Sequence, residues 1–205
     1  MLAMPKRGLY AITHTDGKTI DEVIENITNV VRNGAAMVQY RDKNPIDALV
    51  LARELVAVCH AYNVPLIIND DVELAARVDA DGVHLGENDG DVIHARQHLG
   101  EQAIIGVSCY NSLERAISSE KQGATYVAFG RFFSSNSKPL AAPADIETLV
   151  AAKKILSLPI VAIGGILPEN GASLIDSGAD LLAVIGGLVT GQPDIQAQKY
   201  GALFS

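Results

Sequence analysis

The chain has 205 residues, 48% hydrophobic and 20% charged, with a formal net charge of −8. That size and balance predict one domain over residues 1–205 with a sizeable core, and exclude a disordered polymer. The acidic excess argues against nucleic-acid binding by a broad basic face, so an anionic ligand would have to be caught by local cations.

Residues 8–13 read as a first strand, and 19–33 as a helix with Ile20, Val23, Ile24, Ile27, Val30 and Val31 at helical spacing. Gly34 stops it. Strand two reads over 37–40, a helix opened by Pro45 over 45–62, a buried strand over 65–68 and a third helix over 72–78. The beat continues with strand 82–85, helix 89–99, strand 103–107, helix 112–122 and strand 125–129. A polar loop, 130–143, precedes helix 144–156, strand 160–163, helix 166–177 and strand 180–185. Residues 187–205 should close the ring with a short helix, although Gly191, Pro193 and Gly201 weaken that segment. Glycine recurs between helix and strand at Gly34, Gly123 and Gly178, as repeated helix C-caps would require. Eight such units predict an α/β fold of the (β/α)8 TIM-barrel class; an open doubly wound sheet is the alternative.

Asp70, Asp71 and Glu73 close the run 65–68 and Asp180 opens 181–185, and no segment reaches the length of a membrane span. Residues 1–7 carry Lys6 and Arg7 without an apolar stretch after them and do not read as a signal peptide. Cys59 and Cys109 stand far apart with no CxxC and no histidine cluster, which suits a reducing, cytoplasmic setting and gives no zinc site.

A barrel of this kind collects its chemistry at the C-terminal ends of its strands. After strand two comes Gln39-Tyr40-Arg41-Asp42-Lys43, where alternation puts Gln39, Arg41 and Lys43 on one side, a fork and a point charge suited to phosphate oxygens. Alone, such a run reads equally as a solvated loop. Asn69 and Asp70 follow strand three, and Asp89 follows strand four. Neighbouring strands lie about 5 Å apart, so Asp70 and Asp89 could share one hard cation, with magnesium the best fit. Asp89 also suits the N-cap of the fourth helix, and Asp71 that of the third.

Ser108 stands after strand five with no GxSxG and no placed base, so it reads as a binding hydroxyl. Ser135-Asn136-Ser137-Lys138 offers hydroxyls and an ammonium to an anion, against the plainer account of a surface loop. Gly164-Gly165 and Gly186-Gly187 follow strands seven and eight, where backbone N–H groups commonly hold phosphate. His84 reads as a barrel-lining histidine and His14 as bordering the mouth, whereas His60, His94 and His98 read as surface residues. Cys109 has no paired base, and Phe132 and Phe133 read as packing the loop or closing it over a ligand.

Together these stretches resemble the thiamine-phosphate synthase family. The resemblance runs through 8–13, 38–43, 66–70, 81–86, 105–108, 126–130, 135–139, 161–166 and 183–186. It implies a soluble enzyme that transfers a pyrimidinylmethyl group from hydroxymethylpyrimidine diphosphate to the nitrogen of a thiazole phosphate, giving thiamine phosphate and pyrophosphate. It further implies a dissociative course, with carbon dioxide lost if the acceptor carries a carboxyl group. By the same resemblance Gln39, Tyr40, Arg41, Asp42, Lys43, Asn69, Ser108 and Lys138 would hold the pyrimidine diphosphate. Arg41, Lys43, Ser108 and Lys138 would be the catalytic members.

Asp70 and Asp89 would hold one magnesium ion, and Ser135, Asn136, Ser137, Gly165, Ile185 and Gly186 would meet the thiazole phosphate. The implied partners are those small molecules, with neither nucleic acid nor membrane, and with room for a homo-oligomer. Two departures matter: the family commonly has serine where Gly186 stands, and threonines where Ser135 and Ser137 stand. A thiazole tautomerase would not need the diphosphate and magnesium residues. A non-catalytic thiamine-phosphate binder has only Gly186 in its favour.

Overall fold

The strands are buried on both faces: β1 (Gly8–Ile12) is buried at every position, as are β4 (Gly82–Leu85) and β8 (Leu181–Val184). Two-sided burial is the mark of a parallel sheet wrapped in helices. The computed structural model describes residues 1–87, 89–134 and 142–205. After β1 come α1 (Ile20–Arg32), β2 (Ala35–Tyr40), α2 (Ala48–Ala61), β3 (Leu66–Asn69), α3 (Val72–Arg77), β4 and α4 (Val92–Leu99). There follow β5 (Ile104–Tyr110), α5 (Leu113–Lys121), β6 (Tyr126–Gly130), α6 (Ile146–Ile155), β7 (Ile160–Ile163), α7 (Pro168–Asp176) and β8. Two helices end the chain, α8 (Gly186–Val189) and α9 (Pro193–Ala202).

Each strand pairs in parallel with its sequence neighbours, and β1 pairs with β8 with Leu9 opposite Leu182. The ring is a closed (β/α)8 barrel, which sets aside the open sheet. Period-two alternation makes two apolar layers. Tyr10, Ile12, Met37, Ile67, Ile104, Tyr126, Val161 and Leu181 fill the interior, with Met4 packed against them. Leu9, Ala11, Val38, Leu66, Ile68, Val83 and Ile105 face the helices.

Local chemistry sets the boundaries. Thr19 caps α1 in a capping box with Glu22, an arrangement of the kind worth about 1 kcal/mol. The glycines after α1, α5 and α7 have φ of 99°, 92° and 115°, so the C-cap reading of Gly34, Gly123 and Gly178 holds. Three boundaries differ from the sequence reading by three residues, the others by two at most. Helix α2 starts at Ala48 because the Asp47 carboxylate takes the N–H of Val50, and Pro45 lies outside it. Asp91, accepting from the N–H of His94, caps α4, so Asp89 is not a cap. Strand β5 runs on to Tyr110, placing Ser108 inside the strand instead of after it.

At the N-terminal end of the barrel Asp81 is fully buried. Its Oδ1 accepts from the N–H of Leu2 at 2.5 Å, and its Oδ2 meets the N–H of Leu66 at 2.9 Å and His60 Nε2 at 2.8 Å. His60 is thus a structural partner of a buried carboxylate, not a plain surface residue.

Candidate active site

The opposite end of the barrel opens into a cavity of about 630 Å³, within the size range of small-molecule sites. Gln39, Arg41 and Lys43 from the end of β2 line it, as period two requires, with Asn69 from β3, His84 from β4 and Ser108 from β5. Tyr40 points the other way, into the strand–helix layer, and is buried there. Asp42 accepts from the N–H of Asn44 in the turn that follows. Neither side chain lines the cavity.

Thr13 at the end of β1 fixes the neighbouring strand end. Its hydroxyl donates to the carbonyl of Arg41 at 2.8 Å and accepts from the N–H of Arg41 at 2.8 Å. This pair pins the backbone from which the guanidinium springs.

Asp70 has left-handed backbone, φ 65°, which aspartate tolerates better than most residues. Its N–H donates to the carbonyl of His84 at 2.8 Å, and its carboxylate accepts from the Asn69 amide at 2.5 Å. Desolvation first, and the Asp89 carboxylate hydrogen-bonded beside it second, push the Asp70 carboxyl up to about 6, while the nearby Arg41 charge pulls it down. A Cβ on Gly86 would run into the Asp89 carboxylate, so glycine leaves the floor on which the pair meets. Two facing carboxylates are a donor set that a hard divalent cation suits. Among the described residues no group of three or more His, Cys, Asp or Glu forms a metal cage. Any cation there would complete its shell with water or ligand oxygens.

The far wall carries Gly164, Gly165, Ile185 and Gly186. Gly165 has φ 63° and packs against the backbone of Phe133 and Ser134, where a side chain would not fit. Gly186 has nothing within 4 Å of where a Cβ would stand. Phe132 and Phe133 pack against the outer layer. Ser135, Asn136, Ser137 and Lys138 lie outside the described residues.

Several residues in and beneath the cavity escaped the sequence reading. Tyr10 and Tyr126 are buried in the interior with their hydroxyls 2.8 Å apart; Gln39 Nε2 donates to Tyr10, and His84 Nδ1 bonds Tyr126 at 2.8 Å. His84 Nε2 lies 2.9 Å from Ser108 Oγ, so this histidine is barrel-lining as expected but tied on both sides. The only available signal was a tyrosine at an inward position of two strands, which hydropathy counts as apolar. The loop after β1 adds Thr13, Thr15 and Asp16 beside His14, which borders the mouth as expected, and Arg131 follows β6. His14 Nδ1 is buried with no hydrogen-bond partner among the described residues.

Arg115 of α5 braces the same end. Its Nε donates to the carbonyl of Ser108 at 2.7 Å and its Nη2 to that of Gly86 at 3.0 Å. One rigid guanidinium therefore ties the ends of β4 and β5 together.

The chain is similar to known proteins over most of its length. A family model described as thiamine monophosphate synthase matches residues 9–188. A thiamine-phosphate synthase of Marinobacter nauticus is 51% identical over 93% of this chain and 87% of its own length. One from Nitrosococcus oceani is 49% identical over 93% of this chain and 88% of its own. Among solved structures, a thiamine phosphate pyrophosphorylase from Pyrococcus furiosus superposes with a TM-score of 0.86 at 29% identity, over 97% of this chain and 95% of that one.

Proposed function

The chain belongs to the thiamine monophosphate synthase family, and from that premise we propose that its cavity joins a hydroxymethylpyrimidine diphosphate to a thiazole phosphate, forming thiamine phosphate and releasing pyrophosphate. The observation that carries this reading is the meeting of Arg41 and Lys43 with Asn69 and Ser108 in one cavity, beside the paired carboxylates of Asp70 and Asp89. Cations beside carboxylates suit a polyphosphate taken with a divalent metal.

In this reading Gln39, Asn69 and Ser108 hold the pyrimidine end, and Arg41 and Lys43 take the diphosphate; family resemblance adds Lys138. The share of Tyr40 and Asp42 is confined to their backbone, since neither side chain lines the cavity. Ser135, Asn136 and Ser137 by resemblance, and Gly165, Ile185 and Gly186 on the far wall, take the thiazole phosphate. Gly186 offers only its backbone.

The C–O bond to the diphosphate breaks with its electron pair leaving on oxygen. Arg41, Lys43 and Lys138 neutralise that developing charge, the largest single contribution open to such a site. The resonance-stabilised pyrimidinylmethyl cation is captured by the lone pair of the thiazole nitrogen, so no covalent bond to the protein is needed. The chain's own work is to hold the partners in line and keep water out. Asp70 and Asp89 would hold one magnesium ion, which when bound supplies positive charge to the diphosphate oxygens. The reading carries with it a one-domain cytoplasmic enzyme with room for a homo-oligomer; among the described residues no helix is long and apolar enough to cross a membrane.

The test is steady-state product analysis with each substrate alone and with both. Thiamine phosphate and pyrophosphate should appear one for one, and only with both substrates. Pyrophosphate released at the same rate without the thiazole phosphate would make this a hydrolase and contradict the reading.

A further inference from the structure

We propose that the buried chain Tyr10–Tyr126–His84 is a positioning device that fixes the hydrogen-bond polarity of Gln39 and Ser108, so that Ser108 presents its proton, and Gln39 its amide oxygen, to the ligand. This deepens the synthase reading and rests on it for the ligand's identity. Each group in the chain has a fixed number of protons to give. Gln39 Nε2 donates to the Tyr10 hydroxyl at 2.8 Å, which among the described residues leaves the Tyr10 proton one neighbour to go to, the Tyr126 oxygen at 2.8 Å. Tyr126, having accepted, donates its own proton to His84 Nδ1 at 2.8 Å. A neutral imidazole that accepts at Nδ1 carries its proton on Nε2 and donates there. The recipient is Ser108 Oγ at 2.9 Å, so the serine proton turns away from His84 and into the cavity.

A chain of this sort has one direction throughout, because each hydroxyl has a single proton to give. Protonated His84 would donate at both nitrogens. The Tyr10 hydroxyl would then receive from Gln39 and Tyr126 together, and its own proton would have no acceptor among the described residues. Reversal with a neutral ring requires the Gln39 amide to turn over. Gln39 therefore sets the direction, and the two phenols transmit it between β2 and β5.

The packing holds the phenols in place. Gly106 stands against Tyr126, and a Cβ there would fall inside the ring. Tyr10 meets Tyr126 edge-on, with centroids 5.9 Å apart and planes at 86°. Both tyrosines are at most 1% exposed. Burial raises both phenols well above the usual tyrosine range, so they keep their protons across ordinary pH. A fixed donor at Ser108 suits a phosphate oxygen or a ring nitrogen; a fixed acceptor at Gln39 suits an amino group. An aminopyrimidine diphosphate offers all three.

Two measurements decide it. Nitrogen-15 NMR of histidine-labelled wild-type protein, with the His84 signals assigned by their loss in His84→Asn, should show a neutral ring protonated at Nε2. A proton on Nδ1, or on both nitrogens at neutral pH, overturns the proposal without reference to any substrate. The second is a double-mutant cycle of Tyr126→Phe and Ser108→Ala. Each single change should lower kcat/KM for the pyrimidine diphosphate about tenfold, the worth of one hydrogen bond, and leave KM for the thiazole phosphate within about twofold. The double variant should lose no more than either single. Fully additive losses, or equal effects on both substrates, would make Tyr126 a packing residue only. Should wild-type protein form no thiamine phosphate, the synthase reading fails while the imidazole spectrum still judges the chain; it does so too if Tyr126→Phe does not fold.

Discussion

Asp70 combines a left-handed backbone with a carboxyl held up to about 6, a cost that fits the proposed role of meeting a cation at the rim. An unfolded aspartate titrates near 3.8, so between that value and about 6 the folded chain holds a proton that the unfolded chain has lost. The stability this group confers is present below about pH 4 and lost as pH rises through 6. In metal-free buffer the melting temperature of wild type relative to Asp70→Asn should therefore fall over that interval. Because the proton must leave before a cation can bind, magnesium affinity should drop about tenfold per pH unit below 6, read by calorimetry between pH 5 and 8. A flat affinity over that range would remove Asp70 from the proposed metal site. Gly186 gives a second prediction at this scale. Open space surrounds its missing side chain, so Gly186→Ser should fold normally. Its hydroxyl should lower KM for the thiazole phosphate about fivefold, one hydrogen bond's worth.

At residue scale the sequence was legible where period two coincided with charge. Gln39, Arg41 and Lys43 had to share a face, and they line one cavity. It was not legible where a polar group hides in an apolar run. The phenols of Tyr10 and Tyr126 look hydrophobic in sequence, and only their meeting inside the barrel reveals the hydroxyl chain.

Elements were placed by period and bounded by caps, and the caps explain the misses. Pro45 favours a helix start, but Asp47 has the side chain that captures an N–H, and α2 begins after it. Asp91 does the same for α4, which leaves Asp89 free to face Asp70. Ser108 fell outside the expected strand because Ser108-Cys109-Tyr110 carries no apolar alternation; pairing with β6 extends the strand. Between elements, the Arg115 guanidinium is the brace to test. Arg115→Ala strands the carbonyls of Ser108 and Gly86, and should cost about 1–3 kcal/mol in urea unfolding. Wild-type stability in that variant would show that water replaces the brace without loss.

Over the whole molecule the barrel separates stability from chemistry by its two ends. The buried Asp81, with Leu2, His60 and Leu66, holds the N-terminal end, while the cavity occupies the other. Asp81→Ala leaves the buried Leu66 N–H without its partner and should cost about 1–3 kcal/mol, yet the protein that remains folded should keep kcat within about twofold. A large fall in kcat at full folding would show that the two ends are coupled. The closed ring itself was legible, because eight βα units with glycine C-caps leave few other ways to bury strands on both faces. The loop over residues 135–141 lies outside the described residues, so the proposed place of Lys138 rests on sequence resemblance.

In the proposed function this cavity makes thiamine phosphate with metal assistance. Single-turnover chemical quench, with enzyme in excess over the pyrimidine diphosphate and the thiazole phosphate saturating, tests it most directly when run with magnesium and again with a chelator. Thiamine phosphate and pyrophosphate should rise together with magnesium, and both should be lost with the chelator. Product formed at an undiminished rate in chelator, or no product from folded protein with magnesium present, would contradict that function.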